Sequence, residues 1–240
     1  VSWRPSGGGL SWLDRAPNHA GEEDEITDPE SQDRVMTVEA PFVVAEAEVL
    51  AETEGRFSDL RFSTDGSKFF LEDLKEGERR ILAYNLSTGS PVETELTRYD
   101  PDNVIALPGE LLTRQDVNGI TSTVTSSDGT AVYLRGSGFR EQFTPQPFID
   151  RMDIATGATT RIFEGTDNAF DQPLVVLDDD LKRMIVSREM SSVVPDSYLW
   201  TVDGTWENLT RNVDPYPELA SVQRVDFDFT RRDGLTVQGR

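Results

Sequence analysis

The chain has one histidine, His19, set in the run Arg-Ala-Pro-Asn-His-Ala-Gly-Glu-Glu-Asp-Glu at residues 15–25. A serine hydrolase needs a nucleophile on a sharp turn, a histidine base within reach and a buried acid to orient that base. His19 lies instead among carboxylates in a polar loop, where a solvated imidazole is expected, and no Gly-x-Ser-x-Gly occurs in the sequence. No catalytic triad is expected within these 240 residues.

The acidic run Gly-Glu-Glu-Asp-Glu-Ile-Thr-Asp-Pro-Glu-Ser-Gln-Asp (residues 21–33) could attract a cation. It lacks the Asp-x-Asp-x-Asp-Gly loop and distal glutamate that shape a calcium site, so it reads as a solvated loop. Asp178, Asp179 and Asp180 read as a turn. No phosphate-cradling Gly-x-x-x-x-Gly-Lys is present, and Gly7 to Gly9 read as a turn rather than a nucleotide loop. Scattered carboxylates single out no glycosidase pair. The sequence has no cysteine, which excludes disulfides, thiolate catalysis and cysteine-based metal sites and leaves the compartment open. Asn85-Leu-Ser and Asn208-Leu-Thr match the glycosylation pattern, a triplet that arises often by chance. No cofactor and no metal are expected.

The elements that would position any such residues come as a repeat. Residues 61–73, Arg-Phe-Ser-Thr-Asp-Gly-Ser-Lys-Phe-Phe-Leu-Glu-Asp, pair with residues 124–136, Val-Thr-Ser-Ser-Asp-Gly-Thr-Ala-Val-Tyr-Leu-Arg-Gly. Weaker copies lie at 2–15 and 176–189. After each of the last three copies comes a second strand-turn unit, at residues 81–89, 149–157 and 197–205, and then a short outer strand. Strand, Asp-Gly turn, strand, loop, strand, Thr-Gly turn, strand makes one four-stranded antiparallel sheet, and tandem sheets of that kind are propeller blades. The expected fold is all-β: a partial β-propeller of about four four-stranded antiparallel blades. The blades are expected at residues 1–55, 56–112, 113–165 and 166–215, with inner strands near 60–63, 122–126 and 174–177. Asp65-Gly66, Asp128-Gly129, Thr88-Gly89 and Thr156-Gly157 are read as turns needing positive backbone angles. Trp3, Phe62, Phe70, Tyr133 and Met152 are read as filling between blades.

Composition agrees with a globular protein on the polar side: 36% hydrophobic and 28% charged residues, with a formal net charge of −21. An acidic surface of that size argues against nucleic acid and anionic membrane as partners, since both need a basic footprint. No apolar stretch is long enough to span a bilayer as a helix, and no signal peptide is visible.

Residues 216–240 read as a linker and a hairpin: Val225, Phe227 and Phe229 alternate with polar residues, and Asp233-Gly234 turns the chain. A hairpin without further partners exposes an edge, which is a poor way to end a natural domain, so the chain reads as a piece cut at a domain boundary. A propeller followed by Asp-Pro-Tyr-Pro-Glu-Leu-Ala-Ser-Val-Gln and then Val-Asp-Phe-Asp-Phe-Thr-Arg-Arg-Asp-Gly-Leu-Thr-Val-Gln-Gly resembles the junction between the propeller and the α/β-hydrolase domain of prolyl-oligopeptidase-family serine peptidases. Residues 2–16, 147–165, 186–200 and 214–223 resemble the glutamyl-endopeptidase-like branch of that family, in the same order and over nearly the whole chain. The resemblance implies the C-terminal part of a propeller that restricts entry to an active site and positions peptides. The hydrolase domain and its serine, aspartate and histidine would lie beyond Arg240. It implies peptide substrates and that hydrolase domain as partners, and a periplasmic or secreted setting somewhat ahead of the cytoplasm. The alternative is a stand-alone propeller module that binds protein or ligand.

In a four-stranded blade the second-to-third loops share a face with the blade crossovers, and by this resemblance that face looks toward the hydrolase. The second-to-third loop of the third repeat is enlarged, at Gly-Ser-Gly-Phe-Arg-Glu-Gln-Phe-Thr-Pro-Gln-Pro (residues 136–147). A glutamate substrate approaching so acidic a propeller needs a local cation. Arg140 is the first candidate and Arg135 the second, with Phe139 beside them, because arginine grips a carboxylate with two hydrogen bonds.

Overall fold

The computed structural model describes residues 2–5, 9–16, 32–87, 90–140, 145–190, 193–218, 225 and 227–239. His19, all but the last two residues of the acidic run 21–33, Gly7 and Gly8, the Thr88-Gly89 turn and residues 141–144 of the enlarged loop lie outside them.

Four antiparallel four-stranded sheets follow one another along the chain. The first joins β1 (Ser2–Trp3), β2 (Gly9–Asp14), β3 (Asp33–Glu39) and β4 (Glu48–Thr53) in sequence order. The second joins β5 (Arg56–Phe62), β6 (Lys68–Lys75), β7 (Glu78–Asn85) and β8 (Val92–Tyr99) in the same way. The third contains β9 (Glu110–Leu111), then, after the separate hairpin β10 (Thr113–Gln115) and β11 (Thr121–Thr123), β12 (Ala131–Gly136), β13 (Phe148–Asp153) and β14 (Thr159–Glu164). The fourth joins β15 (Phe170–Val176), β16 (Arg183–Met190), β17 (Val193–Thr201) and β18 (Trp206–Asn208). A last hairpin pairs β19 (Phe227–Thr230) with β20 (Thr236–Gly239). Meandering sheets in tandem are propeller blades, and the fold is an all-β partial propeller. The first three sheets belong to one compact unit, residues 1–164, and the fourth sheet and last hairpin to another, residues 165–240.

Local chemistry explains the turns. In the second sheet Asp65 accepts hydrogen bonds from the Ser63 hydroxyl (2.6 Å) and the Ser67 amide (3.0 Å), while Gly66 takes φ +69°. The third sheet repeats this with Asp128, the Ser126 hydroxyl (2.6 Å) and the Thr130 amide (3.0 Å), and Gly129 at φ +68°. In the fourth sheet the turn at 178–182 is built by Asp178, which accepts from the Lys182 and Arg183 amides; a buried Leu181 takes the positive φ of 50° that glycine takes elsewhere.

Both faces of β6 are buried, and its alternation sends neighbouring residues into different cores. Phe69 joins Phe57, Phe62 and Tyr84 against Val35 of the first sheet. Phe70 joins Ile81 and Leu96 against Val132, Leu134 and Met152 of the third. Each such side chain contributes about 1.5–3 kcal/mol by leaving water, so these two layers hold the first three sheets together. Phe62, Phe70, Tyr133 and Met152 are buried as the repeat predicts. Trp3 is not. It is 51% exposed, because β1 is a two-residue edge strand, and its ring meets the likewise exposed Phe42 edge-on at 5.7 Å.

The first strand of a sheet is its inner one. Phe57, Leu60 and Phe62 of β5 are buried, whereas β8 and β14 are mostly exposed outer strands. The inner strand of the third sheet differs from the expected continuous strand at 122–126, because it is made in two pieces. Leu111 pairs with Leu134 of β12, and the Leu112 amide donates to the Tyr133 carbonyl (2.8 Å). The chain then leaves as the β10–β11 hairpin and returns, with Thr125 opposite Val132 and the Ser126 amide on the Ala131 carbonyl. Glu110 and Leu111 thus belong to the third sheet, ahead of the boundary the repeat spacing predicts at residues 112–113.

Candidate functional site: a groove between the second and third sheets

The enlarged loop folds back on itself. Phe139 pairs with Pro145 in an antiparallel bridge, and the Gln146 amide donates to the Gly138 carbonyl (3.1 Å). Gly138 has φ +61°, and a Cβ there would sit 2.0 Å from the Gln146 carbonyl oxygen, so no other residue fits this narrow ribbon. Gly136 has a different task. A Cβ at this position would lie 2.3 Å from the Phe148 ring, which packs flat over the backbone where the loop departs.

This ribbon forms one wall of a groove of about 580 Å³. Gly138, Phe139, Arg140 and Gln146 line it from the loop, and residues 105–108 line it from the crossover joining the second sheet to the third. Its floor comes from Phe148, Asp150 and Met152 of β13 and Arg161 of β14, with Thr97 of β8 opposite. Apolar side chains with a few convergent charged groups are what a site for a peptide or small ligand requires.

Two arginines reach the groove. Arg161 is bound in place: Nη1 donates to Glu164 (2.7 Å), Nε and Nη2 donate to Asp150, and the guanidinium lies 4.1 Å from the centre of the Phe148 ring. Those two carboxylates balance its charge. Arg140 stands exposed on the loop, with Phe139 half-buried beside it. The structure therefore brings Phe139 and Arg140 to one groove but not Arg135. Leu134 lines the groove, so its strand neighbour Arg135 projects from the opposite face of β12 and is exposed there.

Asp150, Arg161 and Glu164 had no part in the sequence reading. Their signal was available in principle, since Asp150 and Arg161 are directly opposed across β13 and β14 and opposite charges in register stabilise such pairs. Register cannot be read before the pairing is known, and here a bulge shifts it between Ile149 and Asp150. Among the described residues no three histidine, aspartate or glutamate side chains are grouped as metal ligands, and no helix is long and apolar enough to cross a membrane.

No family model matches the chain. It is 29% identical over 218 residues to the probable chloroplastic glutamyl endopeptidase of Arabidopsis thaliana, covering 82% of the chain and 22% of that protein. To the protein of the same description in Oryza sativa subsp. japonica it is 26% identical over 153 residues, 57% of the chain and 16% of that protein. The chain thus spans about a fifth of the length of the curated relatives it matches. Among solved structures, prolyl oligopeptidase B of Galerina marginata in its apo form aligns over 97% of the chain and 28% of its own length, with TM-score 0.55 and 9% identity. The same enzyme bound to a 25-residue macrocyclization substrate aligns over 88% of the chain and 27% of its own length, with TM-score 0.51 and 12% identity. The structural likeness shows the fold, and in sequence the chain is similar to the probable glutamyl endopeptidases.

Proposed function

We propose that this propeller segment of the prolyl-oligopeptidase type gates and positions peptide substrates for an α/β-hydrolase domain of the same protein, with preference for a glutamate side chain at the cleaved bond. An open serine hydrolase cuts whatever reaches it; a cap selects by size and by contacts. The observation that carries the reading is the groove. Its wall joins the crossover at 105–108 to the enlarged second-to-third loop, and those two kinds of segment share one face of a propeller.

Phe139 supplies an apolar surface for the stem of a substrate side chain, and Arg140 is the guanidinium placed to receive its carboxylate. Arg135, on the other face of β12, contributes to long-range attraction rather than to contact. The hydrolase domain would cover the apolar side of the last hairpin, where Phe227 and Phe229 are about half exposed with ring centres 6.4 Å apart.

In the full-length protein, Arg140→Ala is expected to lower kcat/KM for glutamate peptides more than for the glutamine-containing equivalents. The expected difference is about 1.5–3 kcal/mol, the contribution of a hydrogen bond to a charged group. Equal losses for both peptides, or none, remove Arg140 from the specificity site.

A further inference from the structure

Strand β14 carries a bulge, and the bulge rearranges the groove. Glu164 stands opposite Phe148, Phe163 opposite Ile149 and Arg161 opposite Asp150, so Ile162 is the extra residue with no partner on β13. In a regular strand, residues three apart point to opposite faces. The extra residue turns Arg161 and Glu164 to the same face, where both line the groove. Bulges re-aim side chains in this way next to functional sites.

The two ion pairs that result are unequal. Asp150 is the anchor: its side chain is 15% exposed, and it takes Nε and Nη2 of Arg161 together (2.5 and 3.3 Å). The buried Phe148 ring supports the guanidinium at 4.1 Å. Glu164 is 50% exposed and takes a single donor, Nη1, at 2.7 Å. An exposed pair of that kind contributes little, because water serves both charges nearly as well. An anionic ligand that took the Nη1 donor would keep Arg161 satisfied and return Glu164 to solvent.

We propose that Arg161 is a second carboxylate receptor in the groove, and that Glu164 is a built-in competitor for it. The substrate class is then peptides with two carboxylates, one for Arg140 and one for Arg161. Either an acidic side chain or the peptide's C-terminus supplies the second, since a guanidinium reads the carboxylate alone. This rests on the reading of the groove as a peptide site, so binding is measured apart from cleavage.

The probes are peptides with glutamate before a scissile bond that is N-methylated and therefore not cut. They carry a second glutamate or glutamine at each neighbouring position in turn, and a free or amidated C-terminus. Their Kd for the full-length protein is measured by calorimetry. A second carboxylate is expected to tighten binding about fivefold, and Glu164→Gln to raise that advantage to about thirtyfold by removing the competitor and its charge. Arg161→Gln should abolish the advantage, while the preference for glutamate at the bond itself persists. Comparing the side-chain series with the amidated series tells which carboxylate is read. Glu164→Gln leaves the Asp150 pair intact, so it decides the matter even where Arg161→Gln fails to fold. An advantage that Glu164→Gln leaves unchanged or weakens, or that survives Arg161→Gln in a folded protein, overturns the receptor. Equal binding of all the peptides by Glu164→Gln overturns it too. A full-length protein that binds as expected but cleaves none of the unmethylated peptides keeps the second receptor and loses the gating reading. One that cleaves after glutamate, yet gains nothing from a second carboxylate in Glu164→Gln, keeps the gating reading and loses the receptor.

Discussion

Asp33 shows how much one side chain can hold. It closes the acidic run at residues 21–33, yet it is 1% exposed. Its carboxylate accepts from the Ala16 amide (2.9 Å), the Phe57 amide of the next sheet (3.1 Å) and Arg15 (3.1 Å). Asp33→Ala leaves two buried amides without that acceptor and is expected to cost about 3 kcal/mol of stability, read from the urea midpoint. Asp171 in the fourth sheet is a second buried carboxylate. Burial alone would raise its pKa, but hydrogen bonds from Arg188 (2.7 Å) and Thr166 (2.9 Å) outweigh that and hold it below the ordinary value. A carboxyl lowered by folding stabilises above its unfolded pKa of about 3.9 and loses that contribution as pH falls through the folded value. Stability should therefore drop as pH falls below about 4, and less steeply in Asp171→Asn. The turn aspartates Asp65 and Asp128 were legible in the sequence because their partners lie two residues away. Asp33 was not, because its partners Ala16 and Phe57 are far apart in the chain and only the fold collects them.

Among the elements, the strand and turn pattern was legible wherever an apolar alternation ran up to an Asp-Gly. The split inner strand was not. Residues 122–126 look like a complete strand, and nothing in their composition shows that Glu110 to Leu112 fill the other half of the same edge. The short piece has only two or three residues in register, too few for a period to appear. The loop at 136–147 was recognisable by its length and glycines, but its ribbon form depends on one backbone angle. Gly138→Ala puts a side chain at φ +61° and into the Gln146 carbonyl, a strain of about 1–3 kcal/mol. Hydrogen exchange at the Gln146 amide should accelerate by at least tenfold, while the amides of β12 and β13 stay protected. Protection of Gln146 equal to the parent would show that the ribbon does not depend on the glycine.

At the scale of the molecule, the net charge of −21 and the peptidase reading pull against each other unless cations are placed locally. An acidic cap repels acidic peptides over about a Debye length, roughly 8–10 Å at physiological salt. Arg140 then acts at short range on a substrate already past that barrier, and added salt should lower KM for glutamate peptides more than for neutral ones. The propeller architecture was legible from the repeat, and the likeness to glutamyl endopeptidases from the order of several weak motifs. Which residues share a groove was not, since Phe139 and Arg140 meet residues 105–108 only through the packing of two sheets. The most direct measurement compares the full-length protein with this 240-residue segment on short peptides carrying glutamate or glutamine before the cleaved bond, with and without a fluorophosphonate. The full-length protein should cleave after glutamate, lose that activity on labelling, and outpace the segment, which should neither cleave nor label. A full-length protein that cleaves no peptide and takes no label, or a segment that labels stoichiometrically, would contradict the account.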